Sequence, residues 1–288
     1  MSQHAPAAGY KIVKLASGVH SVHSLEYGET FHPVIGPVAE AEALYVRQLS
    51  LPERLRRTRG EFVIWDVGLG AASNAVTILR ATHEIPSELR IISFDQTLEP
   101  LQFALAHTAE LDYLQGYEDP LQSLLKTHRN EFKNAAQQVH WHLHLADFPT
   151  FLARPAAQQI PKPHAIMFDA FSPATNPAMW TEPLFARLFA LLDPTRLCSL
   201  PTYSRSTMLR VTLLIAGFFV GVGHATGEKE ETTIAANCMS LISEPLDRTW
   251  LKRVRRSTSA EPLWEPVYRQ APLSPATWEK LQEHPQFR

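Results

Sequence analysis

The stretch Phe62-Val63-Ile64-Trp65-Asp66-Val67-Gly68-Leu69-Gly70-Ala71-Ala72-Ser73-Asn74 decides the fold. A short apolar, β-rich run ends at Asp66, a turn containing Gly68 and Gly70 follows, and Ser73 to Thr82 reads as a helix. Without Cβ atoms at Gly68 and Gly70 the backbone can bend tightly and approach a ligand closely. The helix after the turn begins with N–H groups that no helical carbonyl satisfies.

Upstream, residues 1–58 read as an N-terminal extension, with a short strand near Tyr10 to Val13 and a helix from Val38 to about Leu49. Downstream, a strand from Leu89 to Phe94 ends at Asp95 and precedes an apolar helix around Leu98 to Leu111. Residues 113–137 are polar, lack strand character and read as an inserted helical or loop segment. Strands follow at Val139 to Leu145, before Asp147, and at Ala165 to Phe168, before Asp169. A helix at about Pro183 to Leu192, a strand at Leu197 to Tyr203 and a helix at Ser206 to Gly217 continue the alternation. Two last strands, about Phe218 to Val222 and Thr232 to Asn237, predict an antiparallel end to the sheet.

Strands alternating with helices predict an α/β fold: a mostly parallel sheet with helices on both faces. The catalytic domain is expected over residues 59–242, with a C-terminal extension over 243–288. Ligands of such sheets collect beyond the carboxyl ends of the strands, where Asp66, Asp95, Asp147 and Asp169 all fall.

The composition narrows the class. Of 288 residues, 45% are hydrophobic and 19% charged, which suits a packed core and not a disordered chain. A net charge of −2 gives no global attraction to nucleic acid. Local basic patches exist at Arg47, Arg54, Arg56, Arg57 and Arg59, and at Arg248, Lys252, Arg253, Arg255 and Arg256. Their plainer reading is as solvated helix faces. The two cysteines, Cys198 and Cys238, form neither a disulfide framework nor a metal cluster. No apolar leader opens the chain, and Val211 to Gly223 falls short of the roughly 20 residues that span a bilayer, so a soluble, cytoplasmic protein is expected.

Two cofactors compete for the glycine turn. A dinucleotide fingerprint needs a third glycine where Ser73 stands. The aspartate two positions before Gly68 instead resembles the D-x-G-x-G turn of Rossmann-like methyltransferases, which faces the methionine and ribose of S-adenosyl-L-methionine (SAM). On that reading Asp66, Gly68, Gly70 and Asn74 meet the methionine end, and Asp95 accepts hydrogen bonds from the ribose hydroxyls. Asp147 and Phe148 meet the adenine. Each aspartate alone would serve equally as a helix N-cap; their order on successive strands points to the cofactor.

The most specific stretch is Phe168-Asp169-Ala170-Phe171-Ser172-Pro173-Ala174-Thr175-Asn176-Pro177-Ala178-Met179-Trp180-Thr181. Two prolines restrict the loop, and Phe171 and Trp180 offer flat apolar surfaces. A rigid structural turn capped by Asp169 and Asn176 is the plainer alternative. The loop resembles the D-[GA]-F-[AS]-P-x-x-N-P-x-M-W-T signature of the MnmC-like methyltransferases, with supporting matches at Ser24 to His32, at Pro201 to Ser204 and at Ala216 to Phe218. The resemblance implies a Rossmann-like class I methyltransferase acting on the aminomethyl group of tRNA wobble 5-aminomethyl-(2-thio)uridine. It also implies a stand-alone enzyme, with a separate flavin-dependent oxidase acting upstream.

Three departures stand out. Ala72 replaces a usual glycine, Asp193-Pro194-Thr195 replaces a P-G-G turn, and Gly227-Glu228-Lys229-Glu230-Glu231-Thr232 replaces a basic segment. The last adds negative charge where RNA phosphates are expected nearby.

A sulfonium methyl group is already electrophilic, so no metal is expected. Asp169 is the candidate to orient the attacking amine and accept its proton. Phe171, Trp180 and Tyr203 are candidates to enclose a flipped-out base. Glu29 and His32 are read as a substrate-site pair. His140, His142 and His144 alternate along one strand face, which is read as half-exposed and not as a metal site. A small-amine methyl- or aminopropyltransferase and a non-catalytic SAM-binding protein are the alternatives; the N-P-x-M-W-T segment argues against polyamine synthases, and the acidic 228–231 segment favours the binding protein.

Overall fold

A computed structural model describes residues 9–227 and 230–288, and the chain divides into two compact units. The first runs to Asp147 and takes in Thr226, Gly227 and Glu230; the second holds Phe148–Ala225 and Glu231–Arg288.

The first unit opens with a hairpin, β1 (Tyr10–Lys14) against β2 (His20–Ser24). β2 was hidden in the sequence because two histidines and two serines mask its period; only Ser21, Val22 and Ser24 turn inward. The helix expected from Val38 is a short α1 (Pro37–Ala41) that widens into a π-helical stretch, Glu42–Arg47. Helix α2 (Leu51–Arg57) follows.

Strand β3 (Glu61–Val67) is buried at every position after Glu61, as expected of a parallel strand covered on both faces. It leads through the glycine turn to α3 (Ser73–Thr82), whose bounds match the sequence expectation. β4 (Ser87–Asp95) and α4 (Glu99–Ala106) come next; α4 stops short of Leu111 because the chain turns at His107. The polar segment 113–137 is not a plain insertion. It folds as α5 (Glu118–Thr127) and an antiparallel strand, β5 (Arg129–Asn134), laid against β6 (Gln137–Leu145). No residue of β5 is buried, so its hydrophobic period is silent, as befits a charged edge strand. The strand order in this unit is β5-β6-β4-β3, with β6, β4 and β3 parallel.

The second unit contains α6 (Phe148–Leu152), β7 (Ala165–Phe168), α7 (Glu182–Leu191), β8 (Ser199–Thr202) and α8 (Thr207–Ile215). β9 (Phe219–Gly223) and β10 (Thr232–Ala236) then give the order β7-β8-β10-β9. β7 and β8 are parallel, and β10 is antiparallel to both β8 and β9, the antiparallel end that the sequence predicts.

Helices α9 (Arg248–Val254) and α10 (Pro275–Glu283) lie in the C-terminal segment, which is stitched to β9. The Gln286 side chain acts as one more strand residue there: Oε1 accepts from Val220 N at 2.8 Å, and Nε2 donates to Val220 O and Leu246 O at 2.7 and 2.9 Å. Among the described residues no helix is long and apolar enough to cross a membrane.

His284 anchors the same tail, its ring edge-on to Phe219 with centroids 5.8 Å apart. Burial first, and Arg288 second, lower its pKa from 6.5 to about 4. The unfolded chain therefore binds a proton that the fold excludes as pH drops from 6.5 to about 4, and stability is lost through that window. The thermal midpoint should fall with acidification there, and His284→Gln should flatten the slope; an unchanged slope in the variant would contradict this account.

Candidate active site

In the first unit β3 delivers the chain to Gly68 (φ 92°) and Gly70 (φ 52°). Ala72, the residue before α3, is also left-handed at φ 60°. The methyl group there costs roughly 1 kcal/mol against glycine but leaves the turn intact. Gly68 N–H donates to Phe94 O at 2.9 Å, which pins the turn to the end of β4. A Cβ on Gly70 would lie 3.2 Å from the Phe31 ring, so the segment after β2 roofs the glycine turn.

Asp95 closes this arrangement. Its Oδ2 accepts from Gly70 N at 2.9 Å, and its Oδ1 accepts from Gln96 N at 2.7 Å and Thr97 N at 3.2 Å. Burial raises the Asp95 pKa, and these three backbone donors offset only part of that rise. Gln96 then reaches the next carboxylate, its Nε2 donating to Asp147 Oδ1 at 2.6 Å. The structure thus joins Gly70, Asp95 and Asp147 in one network. Gln96 was missed in the sequence, where its only signal is adjacency to Asp95.

Tyr10 and Tyr27 were missed as well. Burial, with Glu99, Asp95, Glu26 and Tyr27 behind it, pushes Tyr10 up to about 12. Tyr27 is raised by burial and then by Glu26 and Asp95. The phenols of Tyr10 on β1 and of Tyr27 after β2 therefore both sense the Asp95 carboxylate.

Four more expected residues, Asp66, His32, Glu29 and Asn74, are placed as follows. Asp66 is 1% exposed, and its Oδ2 accepts from Ser93 Oγ at 2.7 Å, Ser93 being its register partner on β4. Trp141 Nε1 donates to the same hydroxyl at 2.9 Å. Strand alternation turns Asp66 into the interior, so it supports the turn from below. His32 pairs with Glu40: Nδ1 is 3.4 Å from Glu40 Oε1, and Nε2 is 3.1 Å from Ser73 Oγ at the start of α3. The left-handed backbone of His32, φ 48°, aims the ring that way. Glu29 sits half-buried in the preceding turn, its carbonyl accepting from Ser24 N at 2.9 Å. Asn74 lies buried in the first turn of α3.

In the second unit Asp169 follows β7 directly and is half-buried. The loop behind it is held at both flanks. Tyr203 OH donates to Ala170 O at 3.1 Å, and Trp180 Nε1 donates to Phe171 O at 2.7 Å. Asn176 N–H donates to Ser172 O at 2.8 Å, closing the proline-framed turn. Trp180 is 0% exposed, edge-on to Phe168 and Tyr203 with centroids 5.3 and 6.0 Å away. It is therefore a brace for the loop and not an open stacking surface; Phe171 keeps partial exposure. Phe148, 3% exposed, opens α6 edge-on to Phe168.

Of the remaining motifs, His140, His142 and His144 are half-exposed while Val139, Trp141 and Leu143 point inward, the strand face expected. His140 lies 3.4 Å from Glu88 and from Glu131. Within the acidic segment 228–231, Glu228 and Lys229 lie outside the described residues, whereas Glu231 pairs with the buried Arg210 at 3.2 Å.

Comparison with known proteins gives the class. Residues 113–238 match the family model described as S-adenosyl-L-methionine-dependent methyltransferase. The crystal structure of MnmC2 from Aquifex aeolicus superposes with a TM-score of 0.69 at 22% identity, covering 96% of this chain and 84% of that one. Spermidine synthase from Thermotoga maritima gives 0.52 at 11% identity, covering 94% and 83%. These structures share the fold.

The chain is an S-adenosylmethionine-dependent methyltransferase of Rossmann-like α/β fold, with SAM as its cofactor. Within that class it is similar to the MnmC proteins. The "tRNA 5-methylaminomethyl-2-thiouridine biosynthesis bifunctional protein MnmC" of Methylibium petroleiphilum is 29% identical over 233 residues, covering 78% of this chain and 34% of its own length. The protein of that name from Burkholderia mallei is 27% identical over 208 residues, covering 67% and 30%. The chain thus spans about a third of the length of these curated relatives.

Proposed function

We propose that the chain transfers a methyl group from SAM to the exocyclic amine of 5-aminomethyl-(2-thio)uridine at the tRNA wobble position. The reading is carried by the likeness, over 78% of the chain, to a protein named for that nucleoside's biosynthesis. The braced Asp169 loop supports it. The donor set also fits SAM: the turn has no side chain at Gly70, and Asp95 has a lone pair on Oδ2 beyond the one taken by Gly70 N. Asp95 holds the ribose, Asp147 and Phe148 the adenine, and Gly68, Gly70 and Asn74 the methionine end. Asp66 and His32 fix the glycine turn and the start of α3 from behind.

When bound, SAM supplies an electrophilic sulfonium methyl group. Asp169 accepts a hydrogen bond from the neutral amine, aims its lone pair and offsets the positive charge that grows on nitrogen. It then takes up the proton that the amine sheds. Phe171 presents its ring to the uracil face. Tyr203 and Trp180 hold the carbonyls of Ala170 and Phe171, which follow Asp169, and Glu29 is assigned to the substrate side. The amine must be free before attack, so a flavin-dependent oxidase acting earlier, in the cytoplasm with the tRNA, is the expected partner.

Nucleoside mass analysis of tRNA from cells with and without the gene tests this. Loss of the gene should accumulate the unmethylated aminomethyl nucleoside. An unchanged nucleoside profile, with labelled SAM instead marking polyamines in vitro, would overturn it.

A further inference from the structure

In the second unit a cavity of about 500 Å³ opens between the start of α8, the β9–β10 pair and α9. Three arginines line it: Arg205 just before α8, Arg210 on α8 and Arg253 on α9. Three carboxylates, Glu231, Glu244 and Asp247, share the lining. Two of these carboxylates are committed elsewhere. Glu231 pairs with Arg210 at 3.2 Å, and Arg210 also donates to Thr232 O at 2.8 Å and Thr233 Oγ1 at 3.1 Å. Asp247 caps α9, its Oδ1 accepting from Trp250 N at 2.7 Å.

Arg205 and Arg253 stand differently. Both are exposed, and neither makes an ion pair within 4.0 Å among the described residues. Around Arg253 the charge is one-sided: Arg248, Lys252, Arg253, Arg255 and Arg256 occupy one stretch without an acidic residue. Arg248 is tied to Phe287 O at 2.9 Å and Arg255 lies over the Trp278 ring, whereas Lys252 and Arg256 are exposed beside Arg253. The lining itself balances three arginines against three carboxylates, with Arg253 acting on Asp247, and the excess positive charge lies beside it on α9 and the residues that follow.

The chain leads from that opening to the residue that braces the reactive loop. Arg205 lies two residues after Tyr203, whose hydroxyl holds Ala170 O, next to Asp169. A ligand that spans the Arg205–Arg253 opening and the Asp169 loop must carry an anion at the first and the reacting amine at the second. An RNA strand meets that condition, because its phosphates repeat along the chain that carries the target base. Guanidinium groups suit it, since they bind phosphate oxygens bidentately and are held charged at any working pH.

We infer that the cavity between α8 and α9 is a phosphodiester seat, where Arg205 and Arg253 grip the backbone of the substrate RNA near the nucleotide being methylated. This rests on the proposed tRNA reading and adds the surface that recognises the polymer. The Arg210–Glu231 pair lies in the lining of the seat, and the arginine neutralises Glu231 there.

The test uses the full chain and tRNA isolated from a strain lacking this methylation. Arg205→Glu and Arg253→Glu should each raise the KM for tRNA by about tenfold, with kcat within about twofold and SAM affinity unchanged. Each should also reduce the slope of log affinity against log salt by about one, since each removes one phosphate contact. Arg253→Lys, which keeps the charge, should retain that slope. Unchanged KM and slope in both glutamate variants, with SAM binding intact, would overturn the seat. Wild-type protein that methylates no tRNA would overturn the functional reading instead. In that case tRNA binding alone decides: a salt slope that depends on Arg205 and Arg253 upholds the seat, and a slope indifferent to them, or no binding at all, ends it.

Discussion

Asp169→Asn is expected to lower kcat by at least about 10²-fold while SAM binds with near wild-type affinity. The magnitude follows from the two tasks assigned to that carboxylate. As acceptor for the departing proton it contributes within the usual 10²–10⁴-fold range for a positioned base, and its charge offsets the cation forming on nitrogen. The amide keeps the size and one hydrogen-bond acceptor but loses both the charge and the basicity. The backbone that follows the carboxylate is held by Tyr203 and Trp180, and the amide is isosteric, so the loop should keep its course. Stopped-flow or single-turnover methyl transfer, with calorimetric SAM titration in parallel, separates the outcomes. An equal loss of SAM binding with the fold intact would make Asp169 a cofactor ligand. A kcat near wild type would remove it from the chemistry altogether.

Asp95→Ala should act in the opposite sense, weakening SAM by about 10²-fold or more and abolishing turnover only at limiting cofactor. Charge-assisted hydrogen bonds to the ribose contribute about 1.5–3 kcal/mol each, and two of them reach that range. The substitution also strips Gly70 N–H of its acceptor and leaves Gln96 and Thr97 without theirs, so the turn should loosen even without cofactor. Because burial raises the Asp95 pKa, the wild-type carboxyl takes up its proton at a higher pH than an ordinary aspartate does. SAM affinity should therefore decline with acidification sooner than a solvent-exposed carboxylate would allow. Calorimetry across acidic pH checks this, and an Asp95→Ala variant with wild-type affinity would remove the residue from the cofactor site.

Much of the fold was legible because its signals are local. β3 is a continuous apolar run, the turn needs left-handed backbone at Gly68 and Gly70, and α3 begins and ends where the pattern says. Edge elements were not legible. β2 and β5 carry polar sequences whose pairing comes from neighbouring strands, so neither shows an alternating period of its own.

In the site, the order of the aspartates along the chain was readable but the side each faces was not. Asp66 sits one residue before the end of β3, and that single step of alternation sends its carboxylate to Ser93. The Glu40 contact of His32 was not legible, because a positive φ at one residue redirects a side chain, which residue spacing does not reveal. Trp180 illustrates a different limit: its indole was visible as a flat apolar ring, but whether it meets a ligand or the loop's own carbonyl depends on packing.

The Phe31 ring over Gly70 has a consequence for how this sequence can drift. Positions nearly forty residues apart occupy a single volume, so neither can change size independently. A side chain at position 70 should be accommodated only where position 31 has shrunk, and a chain trimmed to begin at the first parallel strand would leave its glycine turn uncovered.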